Sequence, residues 1–204
     1  MVMRSVARQI LRRVRGWGRG VVFTPSDFFD LADRRTGVID QTLSRLARRG
    51  TIRRIGRGLY DYPRISPRLG TLSPAPDAVA RALAWKTRST IQVAGAQAAN
   101  ALGLSTQVPA HMLYLTDGPS RHVTIGRRDI RLRHASPKHL IAAGTPAGTV
   151  VQALRYLGRD AVPAVADSVA PRLSSVDRAR LVRAAPIAPG WMQHALKRIA
   201  NTVA

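Results

Sequence analysis

Four polar side chains recur at helical spacing, Gln41, Ser44, Arg45 and Arg48, at i, i+3, i+4 and i+7. An amide, a hydroxyl and two guanidiniums share that face, and none of the four is an acid. These side chains hydrogen-bond base edges or clamp phosphates. A second set follows close behind. Arg53, Arg54 and Arg57 lie in the stretch TIRRIGRGLYDYP, around a Gly-Arg-Gly turn. Glycine reaches positive φ at little cost, so Gly56 and Gly58 predict a tight hairpin with Arg57 at its tip. An arginine at such a tip sits over a phosphate or in a minor groove. Arg35 and Thr36 open the helical stretch, where phosphates are favoured by the helix N-terminus. RNA stays open as a target alongside double-stranded DNA, because arginine hairpins also grip RNA backbone.

The elements that must hold these residues are legible around them. In TGVIDQTLSRLARRG, Ile39, Leu43, Leu46 and Ala47 make an apolar stripe for a core, with Thr36 as N-cap and Gly50 as C-cap. Upstream, Val6, Ile10 and Val14 predict a helix over 3–15, broken by Gly16, Gly18 and Gly20, with Trp17 anchoring the loop. Val21 to Phe23 reads as a short strand. Thr24-Pro25-Ser26-Asp27 opens a short helix, with Asp27 at the third position of a capping box. The order helix, strand, helix, turn, helix, hairpin is that of a winged helix-turn-helix, spanning 1–64.

Residues 65–76 hold several prolines and read as a linker. A second domain is expected over 77–204. It starts with a helix at 77–88, with Val79, Ala82, Leu83 and Trp85 inward, and continues with an Ala-rich helix to Gly103. Strands at 112–115, 123–125 and 130–134 predict a small antiparallel sheet. Helices are expected at 147–158, 160–170, 174–184 and 190–201. Period-2 alternation places Ile130 and Leu132 inward and Arg131 and Arg133 outward, a second basic patch for DNA or an acidic partner. The fold class is therefore α+β: a winged helix-turn-helix, a mixed α/β second domain and a helical C-terminal tail.

Composition agrees with a polyanion as partner. The net charge is +22 over 204 residues, and such an excess attracts polyanions. Residues 1–70 carry 16 arginines against five aspartates, so half the excess sits in about a third of the chain. Cysteine is absent, which excludes disulfides, thiolate metal sites and thiol catalysis. No apolar run reaches membrane-spanning length, and the basic start lacks the apolar stretch of a signal peptide. A cytoplasmic location is expected.

No enzyme, cofactor or metal is expected. The five histidines lack metal-ligand spacing, and Ser105 and Ser120 lack a nucleophile elbow. Asp117 and Asp129 could hold magnesium for phosphoryl chemistry, but both stand where turns begin, a position aspartate favours for local hydrogen bonding.

The stretches FTPSDFFDL (23–31) and VIDQTLSRLARRGTIRRIGRGLYDYPR (38–64) resemble the N-terminal winged helix of the AbiEi-like antitoxins of type IV abortive-infection systems. AGAQAANALGLSTQVP (94–109) and YLTDGPSRHVTIGRRDIRLRH (114–134) look like the second domain of that group. The resemblance implies a repressor that binds inverted repeats in its own operon; a monomer or weak dimer is expected, with cooperative binding on DNA open. It also implies an antitoxin role against a nucleotidyltransferase-like toxin. The recognition helix would be carried by Gln41, Ser44, Arg45 and Arg48, and the wing by Arg53, Arg54 and Arg57. A stand-alone regulator with no toxin partner would share the N-terminal signature.

Overall fold

The structure, a computed structural model, describes residues 5–33, 35–107 and 109–202. It divides into two compact units. One holds the residues up to Thr87 together with Val123–Arg128, and the other holds Arg88–His122 and the residues from Asp129 onward. The fold is α+β, as expected.

In the first unit, α1 (Val6–Trp17) is followed by β1 (Val22–Phe23), a 3₁₀ helix (Pro25–Ala32), α2 (Thr36–Arg48) and the hairpin β2 (Arg53–Gly56) and β3 (Leu59–Asp61). The three strands form one antiparallel sheet in the order β1-β3-β2. Its helices take their form from local chemistry. Gly16 does not break α1; the helix continues to Trp17 and stops at Gly18. The Asp27 carboxylate accepts the Thr24 backbone N–H at 2.7 Å, the capping-box bond expected from the sequence. The segment that follows winds as a 3₁₀ helix, the tighter form that short pieces adopt.

The core of this unit is Ile10, Val14, Phe23, Phe28, Ile39, Leu43, Leu46, Ile52 and Tyr60. Burying each such side chain contributes about 1.5–3 kcal/mol. Trp17 lies 5.5 Å from Phe28 and 6.2 Å from Phe23 between ring centroids, so it anchors the glycine-rich loop as expected.

Two expectations about the boundary are corrected. Residues 65–76 are no plain linker: β4 (Ile65–Ser66) and β5 (Gly70–Thr71) pair as a hairpin. The backbone carbonyl of Leu72 also accepts a hydrogen bond from Arg53 at 2.8 Å. The helix α3 (Pro76–Lys86), assigned to the second domain from the sequence, belongs to the first unit and packs on β1. Val79, Ala82 and Leu83 are buried, but Trp85 is 73% exposed rather than inward.

After α3 come β6 (Ile91–Val93), α4 (Ala96–Ala101), β7 (His111–Thr116), β8 (Arg121–Ile125) and β9 (Arg128–His134). Most of β8 falls in the Val123–Arg128 segment of the first unit, and the rest of these elements lie almost wholly in the second. The four strands pair in the order β6-β7-β9-β8. The sheet is mixed rather than antiparallel, because β9 returns from its hairpin with β8 to lie beside β7, and those two strands run parallel. Helices α5 (Pro146–Leu157), α6 (Val162–Val169), α7 (Ser175–Ala184) and α8 (Gly190–Asn201) match the four expected from the sequence to within two residues. They enclose a core that includes Val150, Leu154, Leu181, Met192, Leu196 and Ile199. Val176 and Val182 stay exposed. Gln92, buried on β6, ties sheet to helix: its Oε1 accepts from the Gly144 N–H at 2.9 Å, and its Nε2 donates to the Thr149 hydroxyl at 3.2 Å. None of the described helices is long and apolar enough to cross a membrane.

The start of α7 carries a measurable pH dependence. The Ser174 hydroxyl donates to the Asp177 carboxylate at 2.7 Å, and the Asp177 N–H donates back to that hydroxyl at 3.1 Å. The Ser174 hydroxyl holds Asp177 below the usual carboxylate range, Arg180 adds to this, and burial opposes it. A depressed folded-state value stabilises the fold above the unfolded value and loses that contribution as pH falls through the folded one. Asp177→Ala is expected to cost about 1.5 kcal/mol at neutral pH, as for a charge-assisted hydrogen bond. Denaturant titrations should show the gap from the parent chain closing as pH drops below about 4. A gap that stays constant between neutral and acid pH would refute the role of the carboxylate charge.

Candidate nucleic-acid interface

Helix α2 is pinned on one side by Ile39, Leu43 and Leu46, all buried. This leaves Gln41, Arg45 and Arg48 exposed and Ser44 half-buried. The expected polar face therefore exists. Asp40 is exposed next to it, an acid that borders the face at its N-terminal end. Among the described residues, the Arg45 side chain makes one hydrogen bond, a long 3.4 Å bond to the Gln41 carbonyl. Among the described residues, neither Arg45 nor Arg48 forms an ion pair. Thr36 is not the N-cap. Arg35 occupies that position without a side-chain cap, and Thr36 is the first helical residue. The opening amides of α2 therefore lack a side-chain acceptor from the cap, which suits them to an anion. Gly50 does follow the helix in the left-handed region, at φ +71, as expected.

The wing turns on Arg57 and Gly58, with Gly58 at φ +65. Only the second glycine needs positive φ. Arg57 stands exposed at the tip. A bulge between Arg54 and Gly56 sets the register, so that Arg53 faces Asp61 and Arg54 faces Tyr60. Arg54 is exposed, with only a long 3.4 Å bond to the Gly56 carbonyl.

Arg53, expected among the nucleic-acid contacts, is engaged within the fold. Its Nε and Nη2 donate to the two oxygens of Asp61 at 3.0 and 2.5 Å. Asp61 is 1% exposed. With its further bond to Leu72, Arg53 is a clamp within the fold, and a bidentate, charge-assisted pair of this kind holds its geometry. A sequence reading misses the clamp because Arg53 and Arg54 are chemically identical and only the bulge separates them. Between α2 and the wing lies a concave surface of about 520 Å³, lined by Ser44 and Arg48 on one side and Arg53, Arg54, Pro63 and Thr71 on the other.

The expected second patch splits. Ile130 and Leu132 are buried, and Arg131 and Arg133 are exposed, as the alternation required. Arg131, however, is paired with Asp129 through Nε at 2.9 Å and Nη2 at 2.7 Å. Asp129 is also bonded to His122, and together these partners hold it below the usual carboxylate range against desolvation. Arg133 has no such partner among the described residues. Asp117 accepts the Thr90 N–H at 2.8 Å, a bond to a distant segment rather than the local turn bond weighed against magnesium. Among the described residues, no group of three metal-ligating side chains converges.

A comparison with curated proteins finds no match. Among solved structures, the chain is similar to the Rv2827c protein from Mycobacterium tuberculosis, at 19% identity over 97% of this chain and 83% of that one, with a TM-score of 0.45. The match to the family of unknown function DUF6088 runs over residues 9–183, and the chain belongs to that family.

Proposed function

We propose that this protein is a sequence-specific double-stranded DNA-binding repressor that inserts α2 into a major groove and lays its wing on the flanking backbone. The observation that carries the reading is the pairing of an unpaired polar face on α2 with an unpaired wing tip, on one unit of high positive charge. Base-edge contact belongs to Gln41 and Arg45. Phosphate contact belongs to Arg35, Thr36, Arg48, Arg54 and Arg57, with Ser44 between the two sets. The AbiEi-like resemblance extends the proposal to autoregulation of an operon, to neutralising a nucleotidyltransferase-like toxin, and to a cytoplasmic location. Footprinting on the protein's own promoter tests the core of it: protection of an inverted repeat is expected, and a promoter left unprotected at saturating protein would refute it.

The wing gives a second, independent check. Arg57→Ala should weaken binding to operator and unrelated DNA alike. It should also reduce the slope of log affinity against log salt by roughly one, since about one phosphate contact is lost. A slope equal to that of the parent chain would remove Arg57 from the phosphate contacts.

A further inference from the structure

Arg133 stands two residues from the paired Arg131 but has different neighbours. It lines a cleft of about 410 Å³ within the second unit, together with His139, Gln152, Arg155, Tyr156 and Trp191. Four elements supply these residues: β9, the 3₁₀ turn Pro137–His139, α5 and the start of α8. Neither arginine forms an ion pair among the described residues. Arg155 donates one Nη2 bond to the Lys138 carbonyl at 3.0 Å, while its Nε is buried without a partner. His139 is pushed below its ordinary value by burial and then by Arg155, Lys138 and Arg133. Positive charges thus converge on one cleft that, among the described residues, no carboxylate lines.

The cleft is also held in shape. Gln152 donates to the His139 carbonyl at 2.7 Å, fixing the segment that bears the imidazole. The Tyr156 hydroxyl donates to Gln107 at 2.8 Å, fixing that ring. The buried Arg155 Nε–H is costly to leave without an acceptor, and Arg133, exposed at the rim, is free to turn to the same anion. Two guanidiniums suit the charge and the oxygen geometry of a phosphate dianion. Tyr156 and Trp191 add aromatic surface, and the volume falls in the range of small-molecule sites.

We propose that this cleft binds a small phosphomonoester carrying a planar ring, the chemistry of a mononucleotide. The site is separate from the DNA-binding reading, and its test contains no DNA. The full chain is titrated by calorimetry with adenosine monophosphate, with adenosine and with inorganic phosphate, at a fixed ionic strength of roughly 0.15 M to screen diffuse attraction to so basic a chain. Saturable binding of the monophosphate is expected, with weaker binding of phosphate and none of adenosine. Arg133→Ala should weaken it by roughly tenfold or more, the loss expected for one charge-assisted hydrogen bond. Arg131→Ala, which removes an equal charge two residues away, should leave it unchanged. Arg155→Lys should keep the fold, checked by thermal melting, and lose affinity because an ammonium cannot make the bidentate contact. The proposal is overturned if the monophosphate fails to saturate the chain at millimolar concentration. Equal effects of Arg131→Ala and Arg133→Ala would also overturn it. So would binding of a glutamate-rich peptide through Arg133 in place of the monophosphate, which would make the cleft a protein contact.

Discussion

Asp61→Ala is expected to destabilise the N-terminal unit by about 3 kcal/mol, the low end for removing one partner of a buried ion pair. The low end applies because the Arg53 side chain keeps 33% of its surface exposed and can recover some water. The carboxylate itself is buried and accepts both arms of the guanidinium, so the variant leaves Arg53 with only the Leu72 carbonyl. Three pieces of chain would loosen together: β2, β3 and the segment after the β4-β5 hairpin. Denaturant unfolding measures the loss, and a midpoint equal to that of the parent would show the pair to be idle. DNA affinity separates the clamp from a direct contact. Were Arg53 a phosphate contact held back by Asp61, the variant would release a cation and bind DNA more tightly. The clamp requires weaker binding, because the wing that presents Arg54 and Arg57 loses its anchor.

This residue also shows where the sequence is informative and where it is not. A two-residue hairpin turn without a bulge would pair Arg54 with Asp61. The bulge between Arg54 and Gly56 slides the register by one and gives that place to Arg53. A slip of one residue exchanges the two faces of a strand, and two adjacent arginines give no signal of which way it goes. The same limit explains the sheet of the second unit. Three short apolar runs identify β7, β8 and β9, but not that β9 lies between the other two and runs parallel to β7. Strand order is a long-range property, whereas the elements themselves follow from local periodicity and caps. That is why the apolar stripe of α2, the Asp27 capping bond and the four C-terminal helices were all legible. Trp85 was placed inward because it is large and apolar. The small Ala80, Ala82 and Ala84 are buried in its place, allowing close approach of the backbone. Arg133 was grouped with Arg131 by alternation alone. The same alternation sets Asp129 beside Arg131 on one strand face, whereas only the tertiary structure brings Arg155 and His139 to Arg133.

Arg45→Ala is expected to cost about 1–3 kcal/mol of discrimination at a single operator position, roughly 5- to 150-fold in relative affinity. Arg45 is exposed at mid-helix, on a helix that its buried residues fix in place. Its 3.4 Å contact with the Gln41 carbonyl is at the limit of a hydrogen bond, so little is lost when the guanidinium turns to a base. A guanine edge offers two acceptors that match its two donors. Arg48, one turn on, lines the concave surface shared with the wing and is placed for phosphate. The two arginines should therefore fail in different ways. Loss of Arg45 should fall mainly on one base pair, while loss of Arg48 should weaken all sequences alike and flatten the salt dependence. Arg45→Lys should not restore discrimination, because an ammonium is a point charge without the planar fork. The measurement is affinity for the operator and for each of its single-base variants, parent against variant, at one salt concentration. If Arg45→Ala weakens every sequence equally, Arg45 is a phosphate contact, and base reading on this helix rests on Gln41.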